Sequence, residues 1–324
     1  MDPDTGLLAE VVRCGVVESR HHGSLVALHP DGSVAFSTGD PGRAIFPRSS
    51  NKPLQSAGMA RLGLDLEPEL LALATASHSG EPFHLDGVRR ILASAGLDES
   101  ALQTPPDSPI GERARTDYVA AGGSPTSLAM NCSGKHAAML ATCVQRDWPL
   151  ESYRDPDHPL QRSLRDTVED LAGEPVSMTA VDGCGAPLWG LTLTGLARAF
   201  RSIALADEGT AEHRVAEAMH AHPGWLGGTG RDVSRFVEGV PGLIAKDGAE
   251  GVYAAALADG RAVAFKIADG AQRPRAPVMV AALRRLGVDA AVLGDLAVVP
   301  VLGGGRRVGE VIAAGEPGSP ATAE

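Results

Sequence analysis

The run Gly251-Val252-Tyr253-Ala254-Ala255-Ala256-Leu257 is followed, after Asp259-Gly260, by Ala262-Val263-Ala264-Phe265-Lys266-Ile267. Two short apolar runs flanking an Asp-Gly turn read as a β-hairpin. A second hairpin is expected where Leu25–Leu28 and Val34–Phe36 flank Pro30-Asp31-Gly32. A third pairs Leu296–Leu302 with Arg307–Ala313 across Gly303-Gly304-Gly305. These signals lie towards the two ends of the chain. Antiparallel strands from both ends are expected to share one sheet, with the intervening helices packed on it. The fold class that follows is α+β, not alternating βαβ.

Helical spacing fills the middle. Ser49–Leu62 places Leu54, Ala57, Gly58 and Leu62 on one face, and Glu67–Ala76 carries Pro68 in its first turn. Pro82–Ala95, Gln161–Leu171, Thr210–Ala221 and Pro277–Leu286 are further helices. No break in composition divides the chain, so residues 1–314 are expected to form one unit. The Gly-, Pro- and Ala-rich tail 315–324 is expected to fray.

Composition excludes several classes of function. Of the 324 residues, 40 are acidic and 29 basic, a net charge of −11 that disfavours nucleic acid. No apolar stretch of about 18 residues is long enough to span a membrane. Met1–Glu10 lacks the basic and then apolar pattern of a signal peptide. Four cysteines, Cys14, Cys132, Cys143 and Cys184, do not make a disulfide framework, and a reducing cytoplasm is expected. Aromatics supply only 4% of the chain, so Ala, Val, Leu and Ile must build the core.

Six segments concentrate chemistry-bearing residues. Arg48-Ser49-Ser50-Asn51-Lys52-Pro53 sets Ser49 and Lys52 three apart, one helical face, where an amine can take a serine proton. Its plain alternative is an N-cap serine before a solvated lysine. Ala76-Ser77-His78-Ser79-Gly80-Glu81-Pro82 packs two hydroxyls, an imidazole and a carboxylate between two helices. Taken alone, it reads as capping by Ser77 or Ser79. Asn131-Cys132-Ser133-Gly134-Lys135-His136 is not a phosphate loop, because Ala129 and His136 stand where such a loop needs Gly and Ser or Thr. Asp182-Gly183-Cys184-Gly185-Ala186-Pro187 is a turn with one thiol and one carboxylate. Cys132 and Cys184, on separate loops, read alone as small buried residues and do not form a zinc knuckle. The glycines of His222–Asp232 would let a backbone approach a ligand, although Val233 breaks the dinucleotide fingerprint. Lys246, in Ile244–Glu250, reads as a solvated charge on a turn.

Together these segments resemble, in order and wording, the rhizobial-type (class 3, thermolabile, asparaginase II-like) bacterial L-asparaginases. The matches also include Asp155-Pro156-Asp157-His158-Pro159 and Lys266-Ile267-x-Asp269-Gly270, and run from about Val16 to Asp269. The resemblance implies a fold similar to serine β-lactamases and glutaminases. It implies two adjacent pairs, Ser49 with Lys52 and Ser77 with Lys246. It further implies a zinc site of Cys132, Lys135 and Cys184, and a homodimer.

The activity this implies is hydrolysis of the side-chain amide of L-asparagine to L-aspartate and ammonia. Ser49 would attack the amide carbon and Lys52 would take its proton, giving an acyl-enzyme that water releases. Ser77 and Lys246 would tune Lys52 and relay the proton to the leaving amine. The charged α-groups of the substrate call for an acid and a base, with Arg48, His136 and Asp182 as candidates. Because Ser49 already supplies the nucleophile, zinc is expected to be modulatory, organising the substrate pocket and tightening KM rather than supplying the attacking water. The rival readings are a glutaminase or β-lactamase-like amidase, and a non-catalytic zinc-dependent binding protein on the same scaffold.

Overall fold

A computed structural model describes residues 4–315 of the chain. An eight-stranded antiparallel sheet organises them. Seven strands run in the order Val299–Gly303, Arg306–Ala313, Gly6–Arg13, Val16–Leu28, Ala262–Ile267, Val252–Leu257 and Leu243–Asp247. Val34–Thr38 pairs with the second half of Val16–Leu28. The first and last strands of the described residues lie side by side, with Ala9 opposite Ala313, so strands from both halves share one sheet as expected. The expected tail lies outside the described residues, apart from Gly315.

Every side chain of Val252–Leu257 is buried, a pattern an antiparallel strand shows only when both faces are covered. Helix Leu193–Ala204 packs on this part of the sheet, and so does helix Arg275–Arg285. One apolar core runs from Leu8 to Leu296. At Gly23, where Val16–Leu28 meets Ile267, an added Cβ would stand 2.1 Å from the Lys266 carbonyl oxygen. Only glycine permits that approach.

Several boundaries differ from expectation. Ser49–Leu62 resolves into a 3₁₀ turn, Arg48–Asn51, followed by the helix Lys52–Arg61. Thr210 is the cap of helix Ala211–Ala221, its side chain accepting from the His213 N–H. The third hairpin starts at Val299, because Val292–Leu296 forms a short helix. Helix Pro277–Leu286 begins two residues early, at Arg275. Lys246 does not lie on a solvated turn. It belongs to the strand Leu243–Asp247, which is buried at every position.

Candidate active site

Pro53 lacks an N–H and is tolerated in the first turn of a helix, which places the start of that helix at Lys52. Just before it, Arg48 holds a left-handed backbone with φ +53°. For a residue with a Cβ this costs about 1–2 kcal/mol. The strain presents Ser49 on a tight turn, half-buried, and among the described residues its hydroxyl has no hydrogen-bond partner.

Lys52 is 1% exposed. Its Nζ donates to the Ala76 carbonyl and to Ser77 Oγ, the latter at 3.0 Å. The lysine of the first expected pair is therefore bonded to the serine of the second. Arg48 takes the chain out of helical register at Ser49, and the buried Lys52 Nζ turns instead to the Ala76 carbonyl, just past Pro68–Ala74, and the Ser77 hydroxyl beside it. A serine and an amine at this separation are close enough to exchange a proton.

The two serines of Ala76–Pro82 do not cap the following helix. Its cap position is Glu81, with no side-chain bond. Ser79 donates its N–H and its hydroxyl to the Gly227 carbonyl, at 2.7 and 2.6 Å. The Ser77 N–H donates to the Leu226 carbonyl. The glycine-rich loop from Leu226 is thus pinned over the serine segment, and Glu81 holds it further by accepting from the N–H and hydroxyl of Thr229. His78 is fully buried. Its Nε2 lies 2.8 Å from Ser133 Oγ, whose own proton goes to the Leu128 carbonyl, so His78 carries its proton on Nε2. Burial first, then the charges of His84 and Lys52, push its pKa well below the usual imidazole range.

Lys246 is fully buried and donates to the Asp247 carbonyl at 2.8 Å and to Asp247 Oδ1. Burial brings its pKa down to about 8; the charge of Lys52 pushes the same way and Asp247 opposes both. Asp247 also accepts from Arg231 at 2.8 Å and from Arg275 at 3.3 Å. Burial would raise its pKa, but these three cations hold it well below the usual carboxylate range. The sequence reading missed Asp247, Arg231 and Arg275 as site residues. One signal was available: Lys246-Asp247 continues the apolar run Leu243-Ile244-Ala245 without a turn residue until Gly248.

The three substrate-binding candidates divide. Arg48 Nε donates to Asp182 Oδ1 at 2.8 Å, joining the turn before Ser49 to the Cys184 loop. His136 points elsewhere, its Nδ1 lying 2.7 Å from the Tyr153 hydroxyl.

The fold brings Cys132, Lys135 and Cys184 together. The two cysteines share a small buried cluster with Met130 and Ala186. Lys135 Nζ approaches Cys184 Sγ at 3.3 Å. A hydrogen bond from Cys132 holds the Cys184 thiol well below the usual range, and Lys135 reinforces it against the effect of burial. The same pairing pushes the Cys132 thiol up. His136 is buried beside them, and the charge of Cys184 opposes the effect of that burial on its imidazole. Among the described residues no three His, Cys, Asp or Glu side chains group as metal ligands, so the expected set depends on Lys135 as third donor. Two adjacent sulfurs with an amine beside them suit a soft divalent cation, which would have to displace the Lys135 proton to gain a third ligand.

Residues 9–313 match the family model described as L-asparaginase II. No curated protein matches the chain. Similar solved structures include a β-lactamase from Mycobacterium bovis, 16% identical, with a TM-score of 0.42 over 77% of this chain and 88% of that one. A putative β-lactamase from Bacteroides dorei is 14% identical, with a TM-score of 0.40 over 76% and 84%. The protein Mglu in its native form is 13% identical, with a TM-score of 0.43 over 81% of this chain and 63% of its own. With scores this low, the α+β architecture rests on the strands and helices described above.

Proposed function

Because the chain belongs to the L-asparaginase II family, we propose that it hydrolyses L-asparagine to L-aspartate and ammonia through a serine acyl-enzyme. Amidohydrolase chemistry follows from the family. The observation that carries the mechanism is the buried Lys52–Ser77 hydrogen bond, three residues along the chain from the unpartnered hydroxyl of Ser49 and within electrostatic reach of Lys246.

Ser49 Oγ attacks the side-chain amide carbon. Its proton enters the Lys52–Ser77 pair and is stored on Lys246, whose pKa of about 8 leaves a share of neutral amine at physiological pH. The C–N bond then breaks, the stored proton returns to the leaving nitrogen, and ammonia departs. Water adds to the Ser49 ester and releases aspartate, with the same amines taking and returning a proton. Asp247, fixed by Arg231 and Arg275, keeps Lys246 in place. Arg48, tied to Asp182, would meet a charged α-group of the substrate.

Cys132, Cys184 and Lys135, with His136 adjacent, would hold zinc, which supplies a fixed dication that orders the Asp182 loop. The working form would be a cytoplasmic homodimer, which light scattering of the pure protein tests.

The test is ammonia release from asparagine and glutamine side by side. A kcat/KM for asparagine at least tenfold higher supports the reading. Preference for glutamine would make the protein a glutaminase on the same machinery. No release from either would leave a binding protein.

A further inference from the structure

A cavity of about 590 Å³ reaches Arg48, the residue before Ser49, and is lined by Glu250, Lys266, Arg43, Asp4 and Asp40 among others. Most of its charges are already committed. Arg43 faces Asp4 at 3.8 Å. Asp40 accepts from the Gly42 N–H at 2.8 Å. Lys266 donates to the carbonyls of Glu250 and Ile267. Arg48 uses its Nε on Asp182, but its Nη nitrogens make no hydrogen bond among the described residues. The Glu250 carboxylate accepts none either; its one ion contact is a long 3.9 Å approach to Arg48 Nη1.

Backbone strain picks out the same two residues. Among the described residues, four non-glycine positions have a left-handed backbone, and Arg48 and Glu250 are two of them, at φ +53° and +57°. Both carry a charged side chain to this cavity. Such conformations persist where a site over-determines them. Glu250 lies in the turn Gly248–Gly251 of the hairpin whose first strand carries Lys246. One hairpin therefore sets the buried amine beneath the site and the carboxylate at its rim. Gly248 packs against the turn before Ser49, where an added Cβ would stand 2.7 Å from the Pro47 carbonyl oxygen.

From this we infer that Glu250 and Arg48 form a zwitterion clamp: Glu250 receives the α-ammonium of a free amino acid and the Arg48 Nη groups receive its α-carboxylate. The clamp rests on the proposed amidase reading and gives it a substrate class, free α-amino acid amides, to the exclusion of amides that lack the α-amino group. A zwitterion laid alongside the pair would meet both groups at once and supply the short hydrogen bonds that their 3.9 Å contact does not. Glu250 is a specificity residue; bond breaking lies with Ser49 and the lysines.

The test compares asparagine with succinamate, which is asparagine without its α-amino group. In Glu250→Gln the ratio of kcat/KM for asparagine over succinamate is expected to fall about tenfold, the worth of one charge-assisted hydrogen bond, mostly through KM for asparagine. Glu250→Asp should recover part of it. An unchanged ratio, or equal losses on both substrates in a variant with wild-type thermal unfolding, overturns the clamp. Calorimetry with L-aspartate and succinate reads it without turnover. If wild type hydrolyses no asparagine, the proposed activity fails on its own, while a preference for aspartate over succinate that Glu250→Gln abolishes still supports the clamp. No such preference in wild type overturns it.

Discussion

Lys246 and Lys135 are both buried lysines, and their proton affinities move in opposite directions. Burial lowers the pKa of each. At Lys246 it wins: the one nearby carboxylate is shared with Arg231 and Arg275, and Lys52 adds a further positive charge. At Lys135 it loses to the negative charge shared by the cysteine pair, held chiefly on Cys184 and reinforced by Asp182, and the amine is held above its usual range. Burial alone therefore does not mark a catalytic amine. The balance of neighbouring charge separates an amine that can take up a proton from one held as a fixed cation.

The largest expected effect confines the chemistry to the Lys246 side. Ser49→Ala should cut kcat by roughly 10³-fold or more while leaving the thermal unfolding temperature in place. Ammonia release measures the first and calorimetry the second. If the variant keeps more than a tenth of wild-type kcat, the nucleophile becomes Ser77, which already holds the hydrogen bond to Lys52.

Next comes the titration of Lys246. Below about pH 8 it carries a proton and accepts none, so kcat/KM should rise with pH and level off above that value. Asp247→Asn removes the charge that helps hold the proton on. Lys246, Arg231, Arg275 and Lys52 then repel one another with less compensation, and the limb should move to lower pH by roughly one unit. Lys246→Met should abolish the limb and lower the plateau about a hundredfold. An unmoved limb in both active variants would remove Lys246 from the proton path and end its contrast with Lys135.

The smallest effect belongs to the second region. Metal analysis should find one equivalent of zinc, and chelation should raise KM a few-fold while kcat is largely retained. Loss of kcat that zinc restores would bring the Cys184 region into the chemistry. Protein that takes up no zinc would leave Lys135 as a counter-ion to a buried thiolate.

Much of this was legible before folding. Asp-Gly and Gly-Gly turns between apolar runs marked the hairpins, and the antiparallel sheet followed. Pro53, Pro68, Pro82 and Pro159 each stand in a helical first turn, as their missing N–H requires. Strand Leu243–Asp247 was not legible, because Lys246-Asp247 reads as solvent-facing unless a counter-charge is known, and Arg231 and Arg275 lie on other elements. Helix Leu193–Ala204 escaped notice although Thr192 caps it through the Gly195 N–H.

What the amino-acid sequence determined by itself was local: turn chemistry, helix starts, and which short segments carry hydroxyls, thiols and amines. Those properties depend on residues within a few positions of one another. Only the tertiary structure decided that Lys52 bonds Ser77, that Arg231 and Arg275 share Asp247 with Lys246, and that Cys132 meets Cys184. Such partners come from distant parts of the chain. The electrostatic field that sets the state of each proton is a sum over neighbours in space, and no spacing along the chain encodes it.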